Sequence, residues 1–249
     1  MRRLPLPLAA LALLAAGCQL KTANYTDDQA IPLEEGRSDS LILSVSLDYP
    51  VGGAGEEILT AITGSILNTA FDMEDVDPAS VSETAVRYED NLKDEYFTEN
   101  GGRPAGEEGA LSWEDRINGS FSGKYKEFDS YMVEYHSVRG NSMEEDLSMT
   151  PIVFRRKTGR IVSEEEFFAD GYRDPVAALI QAALPEALEN NEEDLAALFD
   201  PSGVGPNGLY EVTRDGVTWY YQPYEIAPLS LGVISVFVPW KELKPYLKK

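Results

Sequence analysis

Apolar and polar residues alternate most cleanly at Leu41, Leu43, Val45 and Leu47, with Ile42, Ser44 and Ser46 between them, which predicts a strand with one buried face. Pro50, Gly52, Gly53 and Gly55 break the pattern, and the period then lengthens. Ile58, Leu59, Ile62, Ile66, Leu67 and Phe71 predict a buried helix, with Glu56 and Glu57 in its first turn, where the helix dipole favours negative charge. Asp77 as cap and Pro78 in the first turn predict a second helix, carried by Val81, Tyr88, Leu92 and Tyr96. After a loop over Gly101 to Gly109, alternation returns at Leu111, Trp113, Ile117 and Phe121. Ser122-Gly123 punctuates it, and Phe128, Tyr131, Val133 and Tyr135 resume it, so residues 111–139 predict an antiparallel pair. Met149 to Arg156 predicts one more strand, ending at Lys157-Thr158-Gly159.

The sharpest local signal is Val162-Ser163-Glu164-Glu165-Glu166-Phe167. Ser163 and Glu166 fit a capping box, and Val162 and Phe167 fit the hydrophobic staple around it. Asp174-Pro175 opens a further helix along Val176, Leu179, Ile180, Ala183 and Leu184, which Pro185 should kink or restart. Leu195, Leu198 and Phe199 close the helical stretch. Two strands flank a hairpin turn at Asp215-Gly216, Gly232 to Val238 is a final strand, and a short helix runs through Leu243 and Leu247. Strands separated by helix pairs, without regular βαβ alternation, indicate an α+β fold: antiparallel sheet strands with helices packed on one side, divisible into two small sub-domains.

Composition changes this picture mainly by exclusion. The 249 residues contain 43% hydrophobic and 10% aromatic positions, enough for a core, and carry 21 Lys+Arg against 43 Asp+Glu, a net charge of −22. Nucleic acid would be repelled. One His and one Cys leave little for a zinc site, a thiol nucleophile or a Ser/His/Asp triad, so no catalytic residue, metal or cofactor is assigned and the expected protein is not an enzyme. His136 near a strand end and the acidic run Asp72, Glu74, Asp75 and Asp77 do not change this, since the run lacks the glycine and the distal glutamate of a calcium loop.

The N-terminus has the form of an export signal: basic Met1 to Arg3, apolar Leu4 to Ala16, then Ala15-Ala16-Gly17-Cys18. The small residues before the cysteine resemble a bacterial lipobox, with Ala15 where leucine is usual. The resemblance implies acylation of Cys18 after cleavage and a membrane partner held through that lipid anchor. It implies an exported lipoprotein of the cell envelope, and Gln19 after the cysteine points to the outer membrane where the host has one. Gln19 to Ser40 is polar and without apolar period, so it reads as a tether. The expected organisation is a signal peptide at 1–17, a lipidated tether at 18–40, an N-terminal α+β domain at 41–155 and a C-terminal domain at 156–249.

The last stretch carries a second resemblance. Val217-Thr218-Trp219-Tyr220-Tyr221, then Gln222-Pro223-Tyr224-Glu225-Ile226-Ala227-Pro228, a glycine at 232, a hydrophobic strand ending in Pro239-Trp240, and Lys241-Glu242-Leu243 resemble the extracellular C-terminal domain of RsiV-like anti-sigma factors over residues 208–247. Weaker similarity runs back through Lys157-Thr158-Gly159-Arg160 and Glu166-Phe167-Phe168. Residues 137–146 depart from the Gly-Gly-Ala-His segment of many relatives. The resemblance implies a non-catalytic envelope protein that binds an extracytoplasmic ligand, with a cationic protein such as lysozyme as the concrete candidate. Gln222, Pro223, Tyr224, Glu225 and Pro228 are the candidate contact residues, because two prolines stiffen the loop and tyrosine offers a large surface at low entropic cost. The alternative is a peptidoglycan- or glycan-binding accessory module using Trp113, Trp219 and Trp240 as exposed platforms.

Overall fold

The computed structural model describes residues 20–248 apart from 105, 107, 108 and 141–144, so the expected signal peptide, Cys18 and part of the 137–146 segment lie outside the described residues. A six-stranded sheet runs in chain order through β1 (Lys21–Pro32), β2 (Ser40–Gly52), β3 (Trp113–Tyr125), β4 (Phe128–Arg139), β5 (Glu145–Arg155) and β6 (Arg160–Ile161). Neighbours are antiparallel except β2 and β3, which pair in parallel. The exception follows from what lies between them: α1 (Glu56–Phe71) and α2 (Val81–Asn100) form the crossover that a parallel pair requires.

Both helices pack on the face made by Leu41, Leu43, Val45 and Leu47, where Ile62, Ile66, Leu67, Leu92 and Tyr96 join Ile117, Tyr131, Val133 and Phe154 in one core. The second helix is capped by Ser80, whose hydroxyl accepts from the Glu83 amide at 3.3 Å. The expected cap, Asp77, instead accepts from the Ala79 amide at 2.9 Å and shapes the turn before the helix.

The expected tether is corrected by β1, which pairs with β2 along its whole length. An edge strand needs little apolar surface when backbone bonds and polar side chains hold it. Asn24 Nδ2 reaches Asp48 Oδ1 at 3.0 Å, and Gln29 Nε2 reaches Glu89 Oε2 of α2 at 2.6 Å. The β3–β4 turn also lies later than Ser122-Gly123. It falls at Lys126-Glu127, and the strands shift register between Phe121 and Gly123. A Cβ on Gly123 would stand 2.3 Å from the Val212 carbonyl oxygen, so glycine permits the close approach of a second sheet here.

That sheet comprises β7 (Tyr210–Val212), β8 (Gly216–Tyr221) and β9 (Ile234–Pro239), all antiparallel. Four helices accompany it: α3 (Glu164–Phe167), α4 (Arg173–Ala187), α5 (Glu192–Ala196) and α6 (Trp240–Leu243). Its core gathers Phe168, Val176, Ile180, Leu184, Trp219, Val236 and Val238, and recruits Phe128 and Val153 from the large sheet. The second lobe therefore covers the opposite face of β4, which is buried at every position from Phe128 to Val133. Ser130 joins the lobes: its hydroxyl donates to the Val212 carbonyl and accepts from the Val212 amide, both at 3.0 Å. Ser163 occupies the N-cap of α3 without a side-chain bond, and Arg160 takes the Glu166 carboxylate; Val162 and Phe167 are both buried. The fold is the expected α+β type, and the chain leaves the large sheet after β6, where Val162 enters the second core.

Candidate functional site

The loop after β8 is built from its two shoulders. At the first, the Gln222 side chain accepts from the Met149 amide at 3.1 Å and donates to the Met149 carbonyl at 2.8 Å, so its amide group covers the outer edge of β5 as a strand residue would. At the second, the Phe199 amide donates to the Ile226 carbonyl at 2.9 Å, and Ile226 and Ala227 are buried. Glu225 braces the span from within. One carboxylate oxygen accepts from the Gln222 amide and the other from Asn207 Nδ2, each at 2.9 Å, and Asn207 also donates to the Tyr220 carbonyl at 2.8 Å. Pro228 begins the short helical turn Leu229–Leu231.

Tyr224 stands at the tip. Its amide donates to the Ala227 carbonyl at 3.0 Å, its φ is 66°, and its side chain is 65% exposed. A bulky residue in the left-handed region is strained, and the bonds around it hold it there. Phe199, 59% exposed, is a second uncovered ring tied to the same loop. A groove of about 390 Å³ runs beneath, lined by Asp174, Ala177, Gly205, Asn207, Tyr221 and Glu225. The five residues named from the sequence thus share one loop but divide its labour. Tyr224 is presented outward, whereas Gln222 and Glu225 spend their side chains on internal bonds.

Below the groove lies a carboxylate that sequence periodicity does not single out. Glu164 is buried and accepts from Trp219 Nε1 at 2.6 Å and the Gly208 amide at 3.2 Å through one oxygen, and from the Tyr172 hydroxyl at 3.0 Å through the other. Burial pushes its pKa above the ordinary carboxylate value, and the three donors only partly oppose that. Gly208 follows Asn207, so Glu164 holds the neighbour of the residue that bonds Glu225. Phe199 was also missed as a surface residue, because a phenylalanine closing a helical run has the pattern of a core position.

The other candidates separate. Asp115, fully buried, accepts from the Tyr88 and Tyr135 hydroxyls at 2.9 and 3.1 Å and pairs with Arg139, whose guanidinium lies 4.4 Å from the centre of a Trp113 ring. This fastens α2 to the sheet. His136 pairs with Glu145 at 3.2 Å, and Asp75 with Arg87. Among the described residues no group of three or more His, Cys, Asp and Glu could hold a metal ion. The tryptophans that the glycan-binding alternative needs exposed are all in the cores, Trp113 and Trp240 at 6% exposure and Trp219 at zero, each packed against another aromatic ring.

No curated protein matches the chain. Among solved structures, a DUF3298 family member from Bacteroides fragilis superposes with a TM-score of 0.79 at 16% identity, covering 94% of this chain and 95% of that one. A DUF3298 family protein from Pseudomonas aeruginosa superposes with a TM-score of 0.68 at 13% identity, covering 93% and 96%. Over residues 165–241, a stretch that includes the Tyr224 loop and the whole second sheet, the chain matches DUF3298, a protein family of unknown function.

Proposed function

We propose that this is a non-catalytic, lipid-anchored envelope protein whose C-terminal lobe binds an extracytoplasmic ligand through the 222–228 loop, the ligand being a cationic protein such as lysozyme. Tyr224 carries the proposal. A large aromatic held in a strained conformation, exposed, and braced by Gln222, Glu225 and Asn207 is a preorganised contact, and tyrosine in that setting anchors protein interfaces. Phe199 extends the apolar contact beside a groove lined by Arg173, Asp174 and Glu225. A net charge of −22 raises the encounter rate with a basic partner, while the loop supplies the specificity. The resemblance of residues 208–247 to RsiV-like domains and the lipobox before Cys18 favour the same assignment.

The test is retention of the mature full chain on immobilised lysozyme at moderate salt, with binding expected at low micromolar concentration. Tyr224→Ala and Phe199→Ala should each weaken it by about tenfold or more, as the loss of an aromatic anchor does. Tyr224→Gly should bind as weakly as Tyr224→Ala while being more stable by about 1 kcal/mol, since glycine tolerates the positive φ. Absence of retention overturns the lysozyme assignment; retention that ignores both aromatics overturns the loop. Sedimentation of the same chain with purified cell wall, unaffected by Tyr224→Ala, would replace the protein ligand with a glycan.

A further inference from the structure

The chain holds few cations, and the fold does not scatter its lysines. Of the eight in the described residues, only Lys93 lies on the helical side, paired with Glu89 in α2. The register of the large sheet brings the others to one end. Lys21 opens β1 opposite Gly52, and the parallel register of β2 and β3 places the end of β2 level with Lys124 and the Lys126 turn. The β4–β5 pairing sets Arg155 opposite Phe128, and the turn that follows contributes Arg156 and Lys157 before Arg160 on β6. Trp240 stacks on Tyr125 at 4.0 Å between ring centres, which carries Lys241 and Lys244 to the same end; Lys248 shares a groove with Lys126 and Arg155. Arg214 lies beside Lys124 around a shallow hollow.

Acids at this end are largely spoken for. Asp129 is buried and clasped by Arg156 at 2.7 and 2.8 Å, Glu127 pairs with Arg155 at 3.3 Å, and Glu166 pairs with Arg160. Glu56 and Glu57 at the start of α1, Asp215 and Glu242 also lie near it. Lys21, Lys124, Lys126 and Lys157 remain exposed at the strand tips, a cationic rim on a molecule of strongly negative net charge.

We propose that this rim is the membrane-facing surface, seated on the anionic phospholipid headgroups of the bilayer that holds Cys18. The orientation rests on the lipid-anchor proposal: with Cys18 acylated, only Gln19 and Leu20 precede Lys21, a reach of about 10 Å for three residue steps in an extended chain. The rim cannot then be far from the headgroups, within the distance over which surface charge is felt. The opposite arrangement would press the acidic remainder of the molecule against the same charge. One strand connects this surface to the proposed binding site. β8 starts at Gly216, beside Arg214 and Asp215 at the rim, and runs six residues away from it, about 20 Å, to Gln222 and the Tyr224 loop. The seat on the membrane and the ligand loop are thus at opposite ends of one rigid strand, and Tyr224 is held outward.

The test uses the lipidated full chain in phosphatidylcholine vesicles with and without phosphatidylglycerol, with lysine acetylation by a water-soluble reagent read residue by residue by mass spectrometry. Acetylation of Lys21, Lys124, Lys126 and Lys157 should fall by about threefold or more when phosphatidylglycerol is present, with Lys93 unchanged, and high salt should reverse the protection. In the triple variant Lys124→Glu, Lys126→Glu, Lys157→Glu, Lys21 should lose its protection. Even acetylation of all lysines in both vesicle types overturns the membrane-facing rim. A chain found by mass to carry no lipid at Cys18 overturns the anchor instead, and the rim is then judged by whether that unlipidated chain sediments with phosphatidylglycerol vesicles and the triple variant does not.

Discussion

At the scale of single residues, Glu164 and Tyr224 are opposite uses of unfavourable placement. Tyr224 keeps its ring in water and stores strain in the backbone, whereas Glu164 takes a carboxylate out of water and satisfies it with an indole, a phenol and an amide. A carboxylate whose folded pKa lies above its unfolded value binds a proton in the folded state first. Its contribution to stability is therefore greatest below the ordinary carboxylate range and declines as pH rises through the folded pKa. The wild type should accordingly gain stability relative to Glu164→Gln as pH falls from neutrality toward that range, and the gap should flatten below it. At neutral pH Glu164→Gln should lie within about 1 kcal/mol of wild type, because its oxygen can still serve Trp219 and Gly208 while its amide faces the Tyr172 hydroxyl. Glu164→Ala, which leaves the buried Trp219 and Tyr172 donors without an acceptor, should cost about 1–3 kcal/mol or more. Urea denaturation of the three proteins across that pH interval measures both, and a gap that widens in favour of the wild type with rising pH would refute the assignment of the shift.

At the scale of elements, the sheet edges explain most of what the chain does and does not disclose. On the outer edge of β5 the side chain of Gln222 takes the backbone of Met149 in place of another strand, the Val162 amide donates to the Val153 carbonyl, and β6 pairs with Phe154 and Arg155. Gln222→Ala should lose two hydrogen bonds and reopen that edge, for about 1–2 kcal/mol. Gln222→Glu should be at least as costly, since a carboxylate cannot donate to the Met149 carbonyl; equal stability of all three in urea would show that the lobes do not rely on this contact. The elements with a regular apolar period or a clear turn were legible: β2, α1, the β3–β4 pair, the last two strands and the start of α3 follow from periodicity and turn chemistry. β1 was not, because an edge strand with Asn24, Thr26 and Asp28 facing solvent and Tyr25, Asp27 and Gln29 half-buried has no apolar alternation to read. The parallel β2–β3 pairing is invisible to any local pattern, as it depends on where a crossover of two helices returns. The candidate loop could be located from Pro223, Tyr224 and Pro228, yet the division between an outward Tyr224 and inward Gln222 and Glu225 requires partners 73 and 18 residues away in sequence.

At the scale of the whole molecule, the two cores are not two independent domains, because β4 belongs to both. Tyr131 and Val133 face the helices while Phe128 faces the second sheet, and Ser130 between them satisfies both backbone groups of Val212. A segment beginning at residue 156 would carry β7, β8 and β9 without Phe128, Val153 or Ser130, leaving a core with one wall missing and a short strand whose amide and carbonyl have lost their buried partner. Such a segment should fail to fold alone. The intact chain should unfold in urea as a single transition, with tryptophan fluorescence, which reports Trp219 and Trp240 in one lobe and Trp113 in the other, coinciding with the far-ultraviolet signal. Ser130→Ala should lower the common midpoint by the cost of two unpaired buried backbone groups, about 1–3 kcal/mol each, without splitting the curve. If instead the variant separates the transition into two while the wild type shows one, the coupling resides in this hydroxyl alone; if the wild type already unfolds in two steps, the shared strand does not unify the cores, and the loop, the rim and the anchor end belong to parts that move independently.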